Sequence, residues 1–113
     1  LLRSLGVSPD DVDIHQHAFY KHHVRHAERW RDGRIFLLGD AAHLMPPWAG
    51  AGMQSGIRDA FNLGWKLVEV LQGRLPESVL QTYETERAPN VAQMTQASVQ
   101  LGRIIRRAQI RLD

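Results

Sequence analysis

Apolar residues recur at steps of three and four along Ile57, Ala60, Phe61, Leu63, Gly64, Leu67, Val68 and Leu71. That spacing predicts an amphipathic helix that begins at about Met53 or Gly56 and ends at Gln72. The apolar arc is wide, so the helix is expected to be covered on most sides. Gly73 supplies a C-terminal stop. Leu75-Pro76-Glu77 opens a second helix with proline near its first turn and Val79, Leu80 and Tyr83 facing inward. It is expected to end before Pro89, because a proline pushes the residue ahead of it out of the helical region. A third helix is predicted from about Asn90 to Leu112, with Val91, Met94, Ala97, Leu101, Ile104, Ile105, Ala108 and Leu112 on its inner stripe.

Upstream the pattern changes. Residues 6–13 (GVSPDDVD) carry turn chemistry, readable as a turn or as a helix start at Ser8-Pro9. Ile14 to Val24 is rich in aromatic residues with imperfect alternation, which predicts a half-buried strand. Arg31-Asp32-Gly33-Arg34 is a turn feeding Ile35-Phe36-Leu37-Leu38, four apolar residues in a row. Such a run predicts a strand buried on both faces, as in a parallel sheet covered by helices. Ligands in open α/β sheets sit at the carboxyl ends of strands, and Gly39-Asp40 stands at that end here. From Ala41 to Gly56 two prolines and three glycines interrupt the pattern, marking a shaped loop.

Composition narrows the picture. A chain of 113 residues with 43% hydrophobic and 23% charged residues is one small globular domain or a piece of a larger one, not a multi-domain enzyme. Beginning at Leu1-Leu2-Arg3 without Met and ending in a helical pattern, it reads as an internal fragment. The 14 Lys and Arg exceed the 12 Asp and Glu by only two, too few to imply nucleic acid. Cysteine is absent, which excludes disulfides and thiolate chemistry and fits a cytoplasmic location. No signal peptide or membrane span is visible.

The candidate chemistry lies in Gly39-Asp40-Ala41-Ala42-His43, Pro46-Pro47, Gly50-Ala51-Gly52-Met53-Gln54, and Asp59-Ala60 with Asn62-Leu63. A carboxylate at a strand tip can accept hydrogen bonds from ligand hydroxyls, and glycine permits close backbone approach. The free amides at the start of the following helix favour an anionic or electron-rich ligand atom. The pattern suits a polyol joined to an anion.

The stretch GRIFLLGDAAHLMPPWAGAGMQSGIRDAFNLGWKL closely resembles the second flavin-binding motif of the FAD-dependent aromatic hydroxylases, nearest the 3-(3-hydroxyphenyl)propionate and phenol hydroxylase-type branch. The likeness runs from about residue 18 to 105, through Ala27-Glu28-Arg29-Trp30 upstream and Tyr83-Glu84-Thr85-Glu86-Arg87-Ala88-Pro89 downstream. It implies an α/β parent with a Rossmann-like FAD-binding domain, of which this stretch is mostly helical with one or two strands. Residues 1–30 would end the substrate-binding sheet domain, 31–73 the FAD-binding domain, and 74–113 would form a following helical segment.

Position by position, the resemblance implies that Asp40 binds a ribityl hydroxyl of FAD and that Gly39 lets the chain pass close to it. Pro47 would lie beside the isoalloxazine, and the amides around Gly50, Gly52, Met53 and Gln54 would face its N1 and C2 carbonyl edge. The family has Asn where Gln54 stands, one methylene shorter. In such enzymes NADH or NADPH reduces the flavin, O2 forms a C4a-hydroperoxide, and a phenolic aromatic compound is hydroxylated. No Gly-x-Gly-x-x-Gly pyrophosphate cradle occurs in these 113 residues, so the isolated stretch is expected to be inactive. Alternatives are an inert truncated flavin-binding module, or another flavin enzyme on the same scaffold, such as a halogenase or epoxidase.

Other residues are read as structural. The six histidines, His15 with His17 and His22 with His26 among them, lack the spacing of a zinc site, so no metal is expected. His43 is expected to order the loop. Trp30 and Trp65 are assigned to the core, and Trp48 either fills a gap or leans toward the active site. Arg103, Arg106, Arg107 and Arg111 make a solvated basic face, and Glu84 and Glu86 are expected to form ion pairs with Arg87.

Overall fold

The computed structural model describes residues 20–110, together with residues 6, 8, 11–13, 15, 16 and 18, with 109 and 110 as backbone only. Four two-residue strands precede two long helices: β1 (Arg25–His26), β2 (Arg31–Asp32), β3 (Ile35–Phe36), β4 (His43–Leu44), α1 (Ala51–Leu71) and α2 (Thr82–Ile110). Short 3-10 turns span Gly39–Ala41, Pro47–Ala49 and Glu77–Gln81. The described part is thus mostly helical with a few short strands, as the sequence predicts.

The strands differ in detail from expectation. No strand covers residues 20–24, and Ile14, His17 and Phe19 lie outside the described residues. β2 and β3 form an antiparallel hairpin across Gly33, whose φ of +56° suits the tight turn. The run Ile35–Leu38 is not a strand buried on both faces, since Ile35 is 68% exposed. Lateral pairing is what turns an apolar run into a buried sheet strand. Here β3 has one partner, two residues long. β1 pairs antiparallel with β4, placing His26 opposite His43.

α1 begins at Ala51, two residues before the earliest predicted start. Gly50, at φ +59°, turns the chain from the Pro47–Ala49 turn into the helix. Its end is where the sequence places it: Gly73 takes φ +69° and the amide of Arg74 donates to the Glu69 carbonyl. Proline 76 leads into a 3-10 turn, and α2 then runs 29 residues without stopping at Pro89. At 1.5 Å per residue it is about 44 Å long. The reason is tertiary. Leu80, Tyr83, Arg87, Val91, Thr95 and Ser98 form one buried stripe that passes Pro89, which faces solvent, so burial on both sides holds the helix together.

That stripe also corrects the predicted inner face of the third helix. Val91 is buried, but beyond it the packed positions are Thr95 and Ser98, while Leu101 and Ile104 are exposed. Likewise α1 buries Ala51, Ser55, Asp59, Leu63 and Lys66, leaving Met53, Ile57, Phe61, Trp65, Val68 and Leu71 exposed. Trp65 is therefore not a core residue here. The core consists of Trp30, Ala42, Leu63, Leu80, Tyr83 and Val91. Tyr83 anchors it: its hydroxyl donates to the Leu37 carbonyl at 2.9 Å, and its ring lies 5.6 Å from that of Trp30. Among the described residues no helix is long and apolar enough to cross a membrane.

Candidate functional site: a flavin-type loop and its buried support

Leu38 is extended and Gly39 enters the left-handed region at φ +52°, so the chain turns sharply out of the hairpin into the Gly39–Ala41 turn. Gly39 also meets Gly56 of α1 backbone to backbone: a Cβ built on Gly56 would lie 3.3 Å from the Gly39 Cα. The two glycines therefore let the turn sit directly on the helix. Gly56 lies in the second turn of α1, so the Gly39–Ala41 turn that carries Asp40 is seated on the N-terminal part of that helix. Asp40 is exposed and, among the described residues, its carboxylate has no hydrogen-bond or ion-pair partner.

The first turn of α1 is equally open. Gly50 offers no side chain to cap the amides, and no acidic residue lies in that turn. Its N–H groups and the positive end of the helix dipole thus remain available. Pro47, Gly50, Met53 and Gln54 are exposed around it, and Gly39 and Gly52 are half-buried. All seven sequence-predicted residues fall on this loop and helix start. A free carboxylate, bare amides and glycines without a Cβ fit the ribityl and ring edge of a flavin.

Beneath the loop is a polar interior: the sequence reading named His43, Asp59 and Asn62 within the motif but assigned Asp59, Lys66 and Arg87 no buried ion-pair role. Asp59 has no exposed surface and receives Arg87 Nε at 2.8 Å on Oδ1, with His43 Nε2 at 2.7 Å and the Gly39 amide at 3.1 Å on Oδ2. Arg87 Nη1 also donates to Asn90 at 3.0 Å. Two turns further along α1, the buried Lys66 ammonium donates to Asn62, Thr82 and Glu86 at 2.9, 2.6 and 2.8 Å. The Asn62 amide and then Lys66 hold the Glu86 carboxyl down at about 2, well below the usual range.

His43 is therefore structural, as expected, but the ion pairs differ from prediction. Arg87 pairs with Asp59, Glu86 with Lys66, and Glu84 accepts the Trp30 amide at 2.9 Å. The missed signal was the polar spacing Ser55, Asp59, Asn62, Lys66 along one side of α1, opposite the apolar stripe.

The remaining candidates lie apart. His26 Nε2 is 3.1 Å from the Thr95 hydroxyl, and burial, then the nearby His43, lowers its pKa. His22 stands edge-on to Trp48 at 5.8 Å. Trp48 fills the space over Gly102, where an added Cβ would overlap its ring. Arg103, Arg106 and Arg107 are exposed, and Arg111 lies outside the described residues.

The FAD binding domain family matches residues 1–98 of the chain. Over 105 residues, 93% of this chain, it is 50% identical to a 3-(3-hydroxy-phenyl)propionate/3-hydroxycinnamic acid hydroxylase of Mycolicibacterium smegmatis. It is 44% identical to the enzyme of that name from Escherichia coli over the same share. In each case the chain spans 19% of the relative's length. Among solved structures it is similar to aklavinone-11 hydroxylase in a ternary complex with FAD and aklavinone, with a TM-score of 0.66 and 43% identity over 67% of this chain and 14% of that one. It is also similar to the rebeccamycin biosynthetic enzyme RebC with reduced flavin, with a TM-score of 0.65 and 43% identity over 66% of this chain and 14% of that one. With 98 of 113 residues matched and the loop, helix start and glycine contact in place, the chain belongs to the FAD-binding domain family of the aromatic hydroxylases.

Proposed function

We propose that this chain forms the flavin-ring side of an NAD(P)H-dependent aromatic hydroxylase acting on a phenolic acid of the arylpropionate or hydroxycinnamate type. The observation that carries it is the exposed, unpartnered Asp40 in a turn that Gly39 seats on Gly56 of α1, the helix whose first turn is uncapped. In this reading Asp40 accepts a ribityl hydroxyl and Gly39 admits the cofactor chain. Pro47 flanks the ring, and the amides from Gly50 and Gly52 to Met53 and Gln54 face its electron-rich edge. Held by these residues, FAD would supply the redox chemistry of hydride acceptance from NADH or NADPH and O2 activation toward a phenolic ring. The helix N-terminus favours negative charge on that edge and so the reduced cofactor.

Residues 31–73 then close the FAD-binding domain, 1–30 end the substrate-binding sheet, and 74–113 follow as a helical segment. The phenolic substrate is named by the relatives' chemistry: hydroxylases of 3-(3-hydroxyphenyl)propionate and 3-hydroxycinnamic acid are half identical to this chain. A cytoplasmic catabolic setting belongs to the same reading.

The test is Asp40→Ala in the full-length protein that carries this chain. One charged hydrogen bond lost should weaken FAD binding by about tenfold or more, read by flavin fluorescence on titrating apoprotein. The KM for the aromatic substrate should change little. An unchanged FAD affinity sinks the assignment of Asp40.

A further inference from the structure

The segment Gly39-Asp40-Ala41-Ala42-His43 is held at both ends by one atom. The Gly39 amide donates to Asp59 Oδ2 at 3.1 Å, and His43 Nε2 lies 2.7 Å from the same oxygen. Between those two anchors Asp40 is exposed and free. The turn has no side-chain cap of its own, so Asp59, twenty residues away on α1, caps its first amide. Further hydrogen bonds close the segment from within, Ala42 N–H to Gly39 O at 2.9 Å and Ala41 N–H to Leu38 O at 3.2 Å.

Asp59 itself cannot swing. Arg87 holds its other oxygen at 2.8 Å, and both side chains are buried. Gly56, one turn earlier on α1, touches Gly39, so the helix that carries Asp59 is already seated on the turn. A buried ion cluster of this kind is poor value as pure stabilisation, because apolar residues of similar size often hold a core as well. What it supplies that apolar packing does not is direction: three donors fix one carboxylate, and that carboxylate fixes a backbone N–H.

We propose that Asp59, clamped by Arg87 and His43, is a positioning residue for flavin binding that sets the direction in which Asp40 is presented. Asp59 touches no cofactor in this scheme. It acts through the Gly39 amide and the His43 ring, and Asp40 makes the contact. The inference rests on the reading of Asp40 given above, and its test separates the two.

In the full-length protein carrying this chain, FAD affinity is measured by fluorescence titration of apoprotein for wild type, Asp40→Ala, Asp59→Asn and the double variant. Asp59→Asn is expected to weaken FAD binding on the order of tenfold, the size of one charged hydrogen bond. The double variant should bind about as weakly as Asp40→Ala alone, because Asp59 acts through Asp40. A merely structural Asp59 would give losses that multiply. His43→Gln, which keeps an N–H donor toward Asp59, should restore near wild-type affinity, while His43→Leu should lose several-fold. The His43→Leu cycle with Asp40→Ala serves if Asp59→Asn does not fold. Weaker binding in Asp40→Ala together with multiplying losses, or with unchanged binding in Asp59→Asn and His43→Leu, overturns this inference alone. An Asp40→Ala variant with wild-type FAD affinity overturns the reading of Asp40 and this inference with it.

Discussion

Replacing Arg87 by Met removes the guanidinium that faces Asp59 and leaves that carboxylate with no exposed surface and only the Gly39 amide and His43 as partners. Breaking a buried pair from one side typically costs ~3–5 kcal/mol, because the charge left behind stays desolvated. The two surviving donors to Asp59 place the expected loss near ~3 kcal/mol. That is a large share of the ~5–15 kcal/mol that holds an ordinary domain together. Lys66→Met is the control. It also removes a buried cation, but Glu86, its partner, keeps 49% of its side-chain surface in water, so no charge is stranded and the loss should stay near ~1 kcal/mol. Denaturant unfolding of the full-length protein, followed by far-ultraviolet circular dichroism and by flavin release, compares the two. The double change Asp59→Leu with Arg87→Met should recover part of the loss, since no charge then remains. Equal costs for Arg87→Met and Lys66→Met would refute the argument that burial of the surviving partner sets the penalty.

Two further outcomes follow from α2. Pro89→Ala restores an amide that can reach the Thr85 carbonyl inside a helix already continuous there, so stability should rise by ~1–3 kcal/mol; a fall in a urea melt would show that the ring contributes packing. The Glu86 carboxyl, held at about 2, contributes stability that is complete above the ordinary carboxylate pKa and fades as pH falls from about 5 toward 2. Its exposure keeps the amount on the order of 1 kcal/mol or less. Glu86→Gln should therefore flatten the acid limb of the stability profile, and a limb as steep as wild type would sink the assignment.

How much of this was legible in the sequence depended on where the determining interactions lie. The Gly73 stop and the stretch of Pro46, Pro47 and Gly50 ahead of α1 are set by backbone geometry within a few residues, and the sequence reading located both, although it carried the loop on to Gly56 where the chain is already helical from Ala51. The turn and the helix start that carry the candidate residues were legible to within a few residues for the same reason, since a motif of fixed order specifies local elements. Pro89 was misread because the rule for proline is local, whereas the stripe from Leu80 to Ser98 that keeps α2 whole is tertiary. Burial of Ile35 was misread because an apolar run records the need for neighbours without supplying them. Asp59 and Lys66 were passed over as interior groups because a polar residue on a helix is ordinarily counted toward solvent.

α1 shows why the hydrophobic pattern and the observed burial disagree. Its buried side toward α2 and the loop is rich in polar residues, Ser55, Asp59 and Lys66, and its exposed side carries Met53, Ile57, Phe61, Val68 and Leu71 over most of its 21 residues. An apolar stripe of that length is costly in water at ~25 cal/mol per Å². The wide arc led us to expect cover on most sides, and within the described residues that expectation fails, since Met53, Ile57, Phe61, Trp65, Val68 and Leu71 are exposed. The chain spans about a fifth of the length of its relatives, and in the reading proposed here the remaining four fifths supply the layer that the stripe requires. The division of labour is then physical. Ion pairs and donors on one side of α1 fix the angle at which the helix start and the Gly39 turn are presented. In that same reading the hydrophobic effect on the other side, which is strong but indifferent to direction, is what would bind the assembly to the remainder of a longer protein.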